Sequence, residues 1–167
     1  DNIAHEIQHS FQEVNAESVL PKDENYSKAY TILKSGLIYD ELTRKISLVL
    51  YYSYSFEQDG FVNGLYQYLS NDNVYTWDDI KNTSAVGALE TLKKTLEEVE
   101  HESVSMVEEI LRRRFDLSYK KFIKFGKEGI RRFASKIGKV LWGHRSKQIN
   151  EGVKFRESLK TPLFYFF

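Results

Sequence analysis

Two histidines four residues apart stand at the start of the chain, in the run His5-Glu6-Ile7-Gln8-His9. On a helix they are one turn apart and point the same way, so both imidazoles can reach a single Zn2+ at about 2.0–2.1 Å. The chemistry of such a set is amide hydrolysis. Zinc lowers the pKa of a water toward ~7, and Glu6 accepts its proton and hands it to the leaving amine. At ~100° per residue, with His5 at zero, His9 lies near 40° and Glu6 near 100°, while Ile3, Ile7, Phe11 and Val14 cluster between about 160° and 240°. The apolar stripe anchors the helix, and the His pair and Glu6 face a cleft on the other side. With 4 His and 16 Glu in 167 residues, chance placement gives about 0.01 such motifs per chain, so accident is a weak explanation. The bland alternative is a pair of histidines on the wet face of an amphipathic helix.

A tetrahedral catalytic site needs a third protein ligand and one open position. The chain has no cysteine, so the ligand must be His, Asp or Glu. His101 and His144 are far along the sequence, and the carboxylates to weigh are Glu13, Glu17, Asp40, Glu41, Glu57 and Asp59. Glu13 and Glu17 share the first helix and point away along its axis. Glu57 is the choice: it ends an apolar helix that must pack in the core, and Gly60 three residues on leaves room for close approach. Tyr51, Tyr52 and Tyr54 precede it. They read as core aromatics, with stabilisation of an oxyanion as their other role.

Helical spacing dominates the elements that must position these groups, and only Pro21 and Pro162 interrupt it. The pattern predicts helices over residues 3–16 and 26–33, then a strongly apolar helix from Asp40 to about Ser55. That helix either continues through Gly60 or kinks there, reaching Leu69. Asn71-Asp72-Asn73 reads as a loop. A long helix capped by Thr83 or Ser84 carries a seam of Leu89, Leu92, Leu96, Val99, Ser103, Met106 and Ile110, and a break into two helices near His101 fits equally well. So short a seam suits an intramolecular helical hairpin, with coiled-coil dimerisation as the alternative. In the last third, Phe122, Ile130, Phe133, Ile137 and Leu141 alternate with Lys127, Arg131, Arg132, Lys136 and Lys139, which makes a basic amphipathic helix. The terminal Leu163-Phe164-Tyr165-Phe166-Phe167 is apolar enough to need a groove. The expected fold is an all-α helical bundle with the H-E-x-x-H helix at its N-terminus.

The run Asn2-Ile3-Ala4-His5-Glu6-Ile7-Gln8-His9-Ser10-Phe11-Gln12 resembles the active-site helix of zincin metallopeptidases. It is gluzincin-like, in the His-Glu-Ile-Gln-His form found in peptidase-like domains of large phage-encoded proteins. The stretch Glu57-Gln58-Asp59-Gly60-Phe61-Val62-Asn63-Gly64-Leu65-Tyr66 is similar to the segment that carries a glutamate and a nearby small residue in such proteins. The resemblance implies His5, His9 and Glu57 as zinc ligands, Glu6 as general base, Zn2+ as cofactor and a protein or peptide as substrate. It spans residues 2–70 and does not extend to residues 83–167. Zincins carry a β-sheet ahead of this helix, and four residues precede His5. The resemblance therefore implies either an upstream segment or a reduced helical derivative. Residues 1–82 read as a zincin-like helical region, and 83–167 as a helical hairpin with a basic tail, the two packed as one globular unit.

Charge qualifies that picture. Residues 1–110 hold 8 Lys/Arg against 20 Asp/Glu, a net of −12, and residues 111–167 hold 16 against 4, a net of +12. The tail either folds back on the acidic body or meets an anionic partner. The expected contacts for such a partner are Arg112, Arg113, Arg114, Lys120, Lys121, Lys124, Arg131 and Arg132. Tyr119, Phe122, Phe125 and Phe133 would either stack on bases or pack in the core. A second function class follows: a non-catalytic structural or assembly protein, such as a virion component, that uses the tail for protein or nucleic-acid contact and retains the motif helix without turnover. Oligomerisation fits either class. Mean hydropathy is −0.48 and no run approaches the ~20 apolar residues of a membrane span. The expected location is cytoplasmic or virion-associated. The start at Asp1, with neither Met nor leader, is that expected of a processed product or a fragment.

Overall fold

Local chemistry sets most helix boundaries in the computed structural model, which describes residues 23–71 and 75–148. The predicted helix over 3–16, with His5, Glu6 and His9, lies outside the described residues, as do Asp72, Asn73 and the apolar terminus 163–167. Asp23 starts α1 (Glu24–Lys34) by accepting from the Asn25 amide at 2.8 Å. Asp40 starts α2 (Glu41–Ser53), accepting from the Thr43 amide at 2.8 Å and the Thr43 hydroxyl at 2.6 Å. Each cap satisfies amides that the first turn leaves without helical partners, a contribution of about 1 kcal/mol. Next come α3 (Ser55–Ser70) and the short α4 (Trp77–Lys81), whose capping box joins Thr76 and Asp79. The chain then forms α5 (Ser84–Glu100), α6 (Val104–Phe115) and α7 (Tyr119–Gln148). Every regular element among the described residues is helical, as the all-α expectation requires.

One expectation about helix continuity is corrected, and of two readings of the long seam one is selected. The apolar helix does not run to Gly60 or kink there. It stops at Tyr54, whose backbone is extended (φ −74°, ψ 135°), and α3 begins at the next residue. Glu57 therefore opens a helix instead of ending one. The long seam divides at His101, the second of its two readings: Leu89, Leu92, Leu96 and Val99 are buried in α5, Ser103 precedes α6, and Met106 is 54% exposed. The buried face of α6 is Val107, Leu111 and Phe115. α6 ends at Asp116, which takes the left-handed conformation (φ 50°), and Leu117 N–H donates to Leu111 O at 3.4 Å as the chain turns toward α7.

The centre of the bundle is α2, which packs against α1, α3, α5, α6 and α7. Ile46, Val49 and Leu50 from α2 meet Leu92 and Leu96 from α5 and the apolar face of α7 in one buried cluster. On α7, Phe122, Phe133, Ile137 and Leu141 are buried, so the chain itself covers the amphipathic face. Each such side chain contributes about 1.5–3 kcal/mol by leaving water. Two glycines let α7 come close. A Cβ on Gly126 would stand 3.1 Å from Leu96, and one on Gly129 would stand 2.6 Å from the Ser53 side chain and 2.9 Å from its Cα. Among the described residues no helix is long and apolar enough to cross a membrane.

Candidate functional site

The corner between α2 and α3 is built by polar groups that arrive from far along the chain. Where α2 stops, its last carbonyls lose their helical partners and must find others. Gln58 Nε2 donates to Tyr52 O at 3.0 Å and to Gly129 O at 2.9 Å. Arg132 Nη2 donates to Ser53 O at 2.6 Å, and Lys136 Nζ reaches the Ser55 hydroxyl and Asp59 Oδ1, both at 2.6 Å. Cations thus sit at the negative end of α2, where its dipole favours them. The corner sets Glu57 in the first turn of α3, the end of a helix that favours a carboxylate.

Glu57 has no solvent exposure. The Tyr26 hydroxyl, from α1, donates to its Oε1. Tyr26 is held in turn by rings: Tyr51 is stacked on it at 5.7 Å, and Tyr54 and Phe56 meet it edge-on at 5.2 Å and 6.1 Å. Burial, then the hydrogen bond to Glu57 and its charge, pushes the Tyr26 hydroxyl far above the ordinary tyrosine range. Burial first and then Glu57 does the same for Tyr51 and, less strongly, for Tyr52. Tyr54 is raised by burial and by a hydrogen bond with Asp23. The result is a carboxylate enclosed by protonated phenols. Tyr51 is buried, and Tyr52 and Tyr54 pack against the core, so these three are core aromatics, and the first two also feel the charge of Glu57.

The other described carboxylates weighed as ligands have other employment. Asp40 caps α2, and the Thr43 hydroxyl and amide hold its carboxyl below the usual range. Glu41 pairs with Lys45 at 2.9 Å with its side chain in water, and Asp59 pairs with Lys136. Of these four, Glu57 alone is fully buried. His101 caps the end of α5, its Nδ1 2.7 Å from Glu97 O, and His144 lies beside Tyr75. Glu13 and Glu17 lie outside the described residues with His5, Glu6 and His9. Among the described residues no three His, Asp or Glu side chains are grouped to hold a metal, and the expected set draws two of its three ligands from outside them.

The basic residues divide into two groups. Arg132 is half-buried in the corner, and Arg114 lies over the Tyr39 ring at 5.1 Å. Arg112, Arg113, Lys120, Lys121, Lys124 and Arg131 are exposed, with Lys124 3.8 Å from Glu128. Arg112, Arg113 and Arg114 occupy the last turn of α6, where cations complement the helix dipole. Sequence reasoning missed Tyr26, which lies 31 positions from Glu57 and carries no spacing signal. Comparison of the chain with protein-family models, with curated proteins and with solved structures finds no match.

Proposed function

We propose that the chain is a zinc-dependent, peptidase-like protein in which His5, His9 and Glu57 hold the metal and Glu6 moves the proton. The observation that supports this reading is the complete burial of Glu57 under the Tyr26 hydroxyl. Taking a carboxylate out of water costs on the order of several kcal/mol, and hydrogen bonds together with a cation offset it. Carboxylates that ligate metals are themselves hydrogen-bonded, and two imidazoles with one carboxylate suit Zn2+ with a fourth position open. When bound, zinc supplies Lewis acidity toward a peptide carbonyl and toward water. Glu6 accepts the proton of the attacking water and delivers it to the leaving amine, a role that its place next to His5 allows. Tyr26 holds Glu57, and the corner at Tyr54 holds α3.

The test is metal content followed by turnover. Purified protein should carry about one zinc per chain and lose it on His5→Ala. Glu6→Gln should keep the zinc and abolish cleavage of an unstructured protein. A chain that takes up no zinc ends both the metal and the enzyme assignment. Zinc without turnover leaves a second reading, a non-catalytic assembly protein such as a virion component. One observation favours that reading: Arg112, Arg113, Lys120 and Lys121 are exposed where α6 turns into α7.

A further inference from the structure

We propose that the outer face of α7 is a track for single-stranded nucleic acid, with cations on the phosphates and Trp142 stacked on a base. The inference uses none of the residues of the zinc reading, and it gives the assembly reading a class of partner. At ~100° per residue, with Lys120 at zero, Lys124, Lys127, Arg131 and Trp142 all fall within about 40° of one line along the helix. The buried Phe122, Phe133, Ile137 and Leu141 lie between about 200° and 300°, so the line runs on the side away from the core. From Lys120 to Trp142 it is about 33 Å long, at a rise of ~1.5 Å per residue. Charge placement separates partner binding from internal neutralisation. α7 holds one acid, Glu128. Lys127 and Lys136 turn to Glu100 and Asp59 of the acidic body. Among the described residues no carboxylate pairs with Lys120, Lys121 or Arg131, and Lys124 stands 3.8 Å from Glu128. Cations that served only to balance the body would face it, whereas Lys120, Lys121, Lys124 and Arg131 are exposed. Like charges one turn apart, Lys120 with Lys124 and Lys127 with Arg131, disfavour the helix slightly, and a polyanion laid along them removes that cost while releasing its own counterions. A lipid surface takes up a helix through its apolar face, and that of α7 is occupied by the core. A duplex hides its bases, but a single strand offers them to an indole that is 65% exposed.

The experiment titrates the full chain, over a salt series, with a labelled oligothymidylate, with the same strand in a duplex, and with vesicles of phosphatidylserine and phosphatidylcholine. Helical circular dichroism is recorded for every variant. The single strand should bind more tightly than the duplex or the vesicles, and it should quench tryptophan emission in the unsubstituted chain, a readout that needs no variant. Trp142→Ala should weaken the single strand about 5- to 150-fold, the range of one lost base stack. The Lys120→Ala, Arg131→Ala double variant should lower the salt slope by about 1.4, and the charge-keeping Lys120→Arg, Arg131→Lys pair should restore it. No single-strand affinity at low salt, or an affinity that these variants leave unmoved, overturns the proposal. Equal or tighter binding of the duplex or of the vesicles overturns it as well. An assembly protein that meets other proteins would then remain, and zinc uptake, measured separately, is untouched by either result.

Discussion

Four tyrosines joined by ring contacts, Tyr26, Tyr51, Tyr52 and Tyr54, hold their protons beyond the ordinary tyrosine range, and the protein loses stability in base as a result. In the unfolded chain a tyrosine ionises near pH ~10. Tyr26, Tyr51, Tyr52 and Tyr54 ionise later when folded, chiefly because burial penalises the phenolate. Their contribution to stability is complete below the unfolded value and is lost as pH rises from there toward the folded values. The expected outcome is a late rise in tyrosinate absorbance that coincides with loss of helical circular dichroism above pH ~10. If those phenols ionise while helicity persists, the cluster is open to solvent and the burial argument fails. Asp40 works in the opposite direction: Thr43 lowers its folded value, so its contribution fades as the solution becomes acidic. Glu57 was legible in the sequence as a carboxylate on a core helix. Tyr26 was not, because a contact across 31 positions depends on how two helices pack and leaves no local pattern.

At the level of helices, the contact of α7 with α2 is sensitive to size. Gly129 faces Ser53 so closely that an added methyl would meet backbone, whereas a Cβ on Gly87 of α5 meets nothing within 4 Å. Gly129→Ala should therefore destabilise by about 1–3 kcal/mol. Gly87→Ala should stabilise by up to about 1 kcal/mol through helix propensity. Denaturant melts of the two variants check both signs, and a neutral Gly129→Ala would contradict the packing. The boundaries that local chemistry writes were readable: Asp40 begins α2 as its side chain predicts. The end of the apolar helix near Ser55 was also readable, but the single extended residue, Tyr54, that separates it from α3 was not, since no proline or glycine marks it and the carbonyls there are satisfied by Gln58 and Arg132. α4 went unread because five residues are too few to show a period, although Thr76 and Asp79 have capping-box spacing.

Across the whole molecule the two charged segments meet. Lys127 pairs with Glu100 at 2.7 Å and Lys136 with Asp59 at 2.6 Å, so part of the basic third folds back on the acidic body. Pairs this close to water contribute little individually, about 0–1 kcal/mol, and the apolar face of α7 holds the helix in place. The imbalance of charge was plain in the sequence. Which cations are used internally was not, because that depends on the face each presents after packing. Arg112, Arg113, Lys120 and Lys121 are exposed, and they give the assembly reading its test. If they meet phosphate, DNA affinity should fall steeply as salt rises, and the Arg112→Ala, Lys121→Ala double variant should reduce the salt slope by about 2. No affinity at low salt would remove nucleic acid from the partners.

The bend at Tyr54 also imposes an order on biosynthesis. Its fastenings, Gly129, Arg132 and Lys136, lie 71 to 81 positions downstream of the groups they grip. A growing polypeptide leaves the ribosome from its N-terminus, so the stretch bearing Glu57 emerges long before those fastenings do. Glu57 gains its final bearing only after Gly129, Arg132 and Lys136 have been translated, and whatever chemistry it serves stays latent in the nascent polypeptide until then.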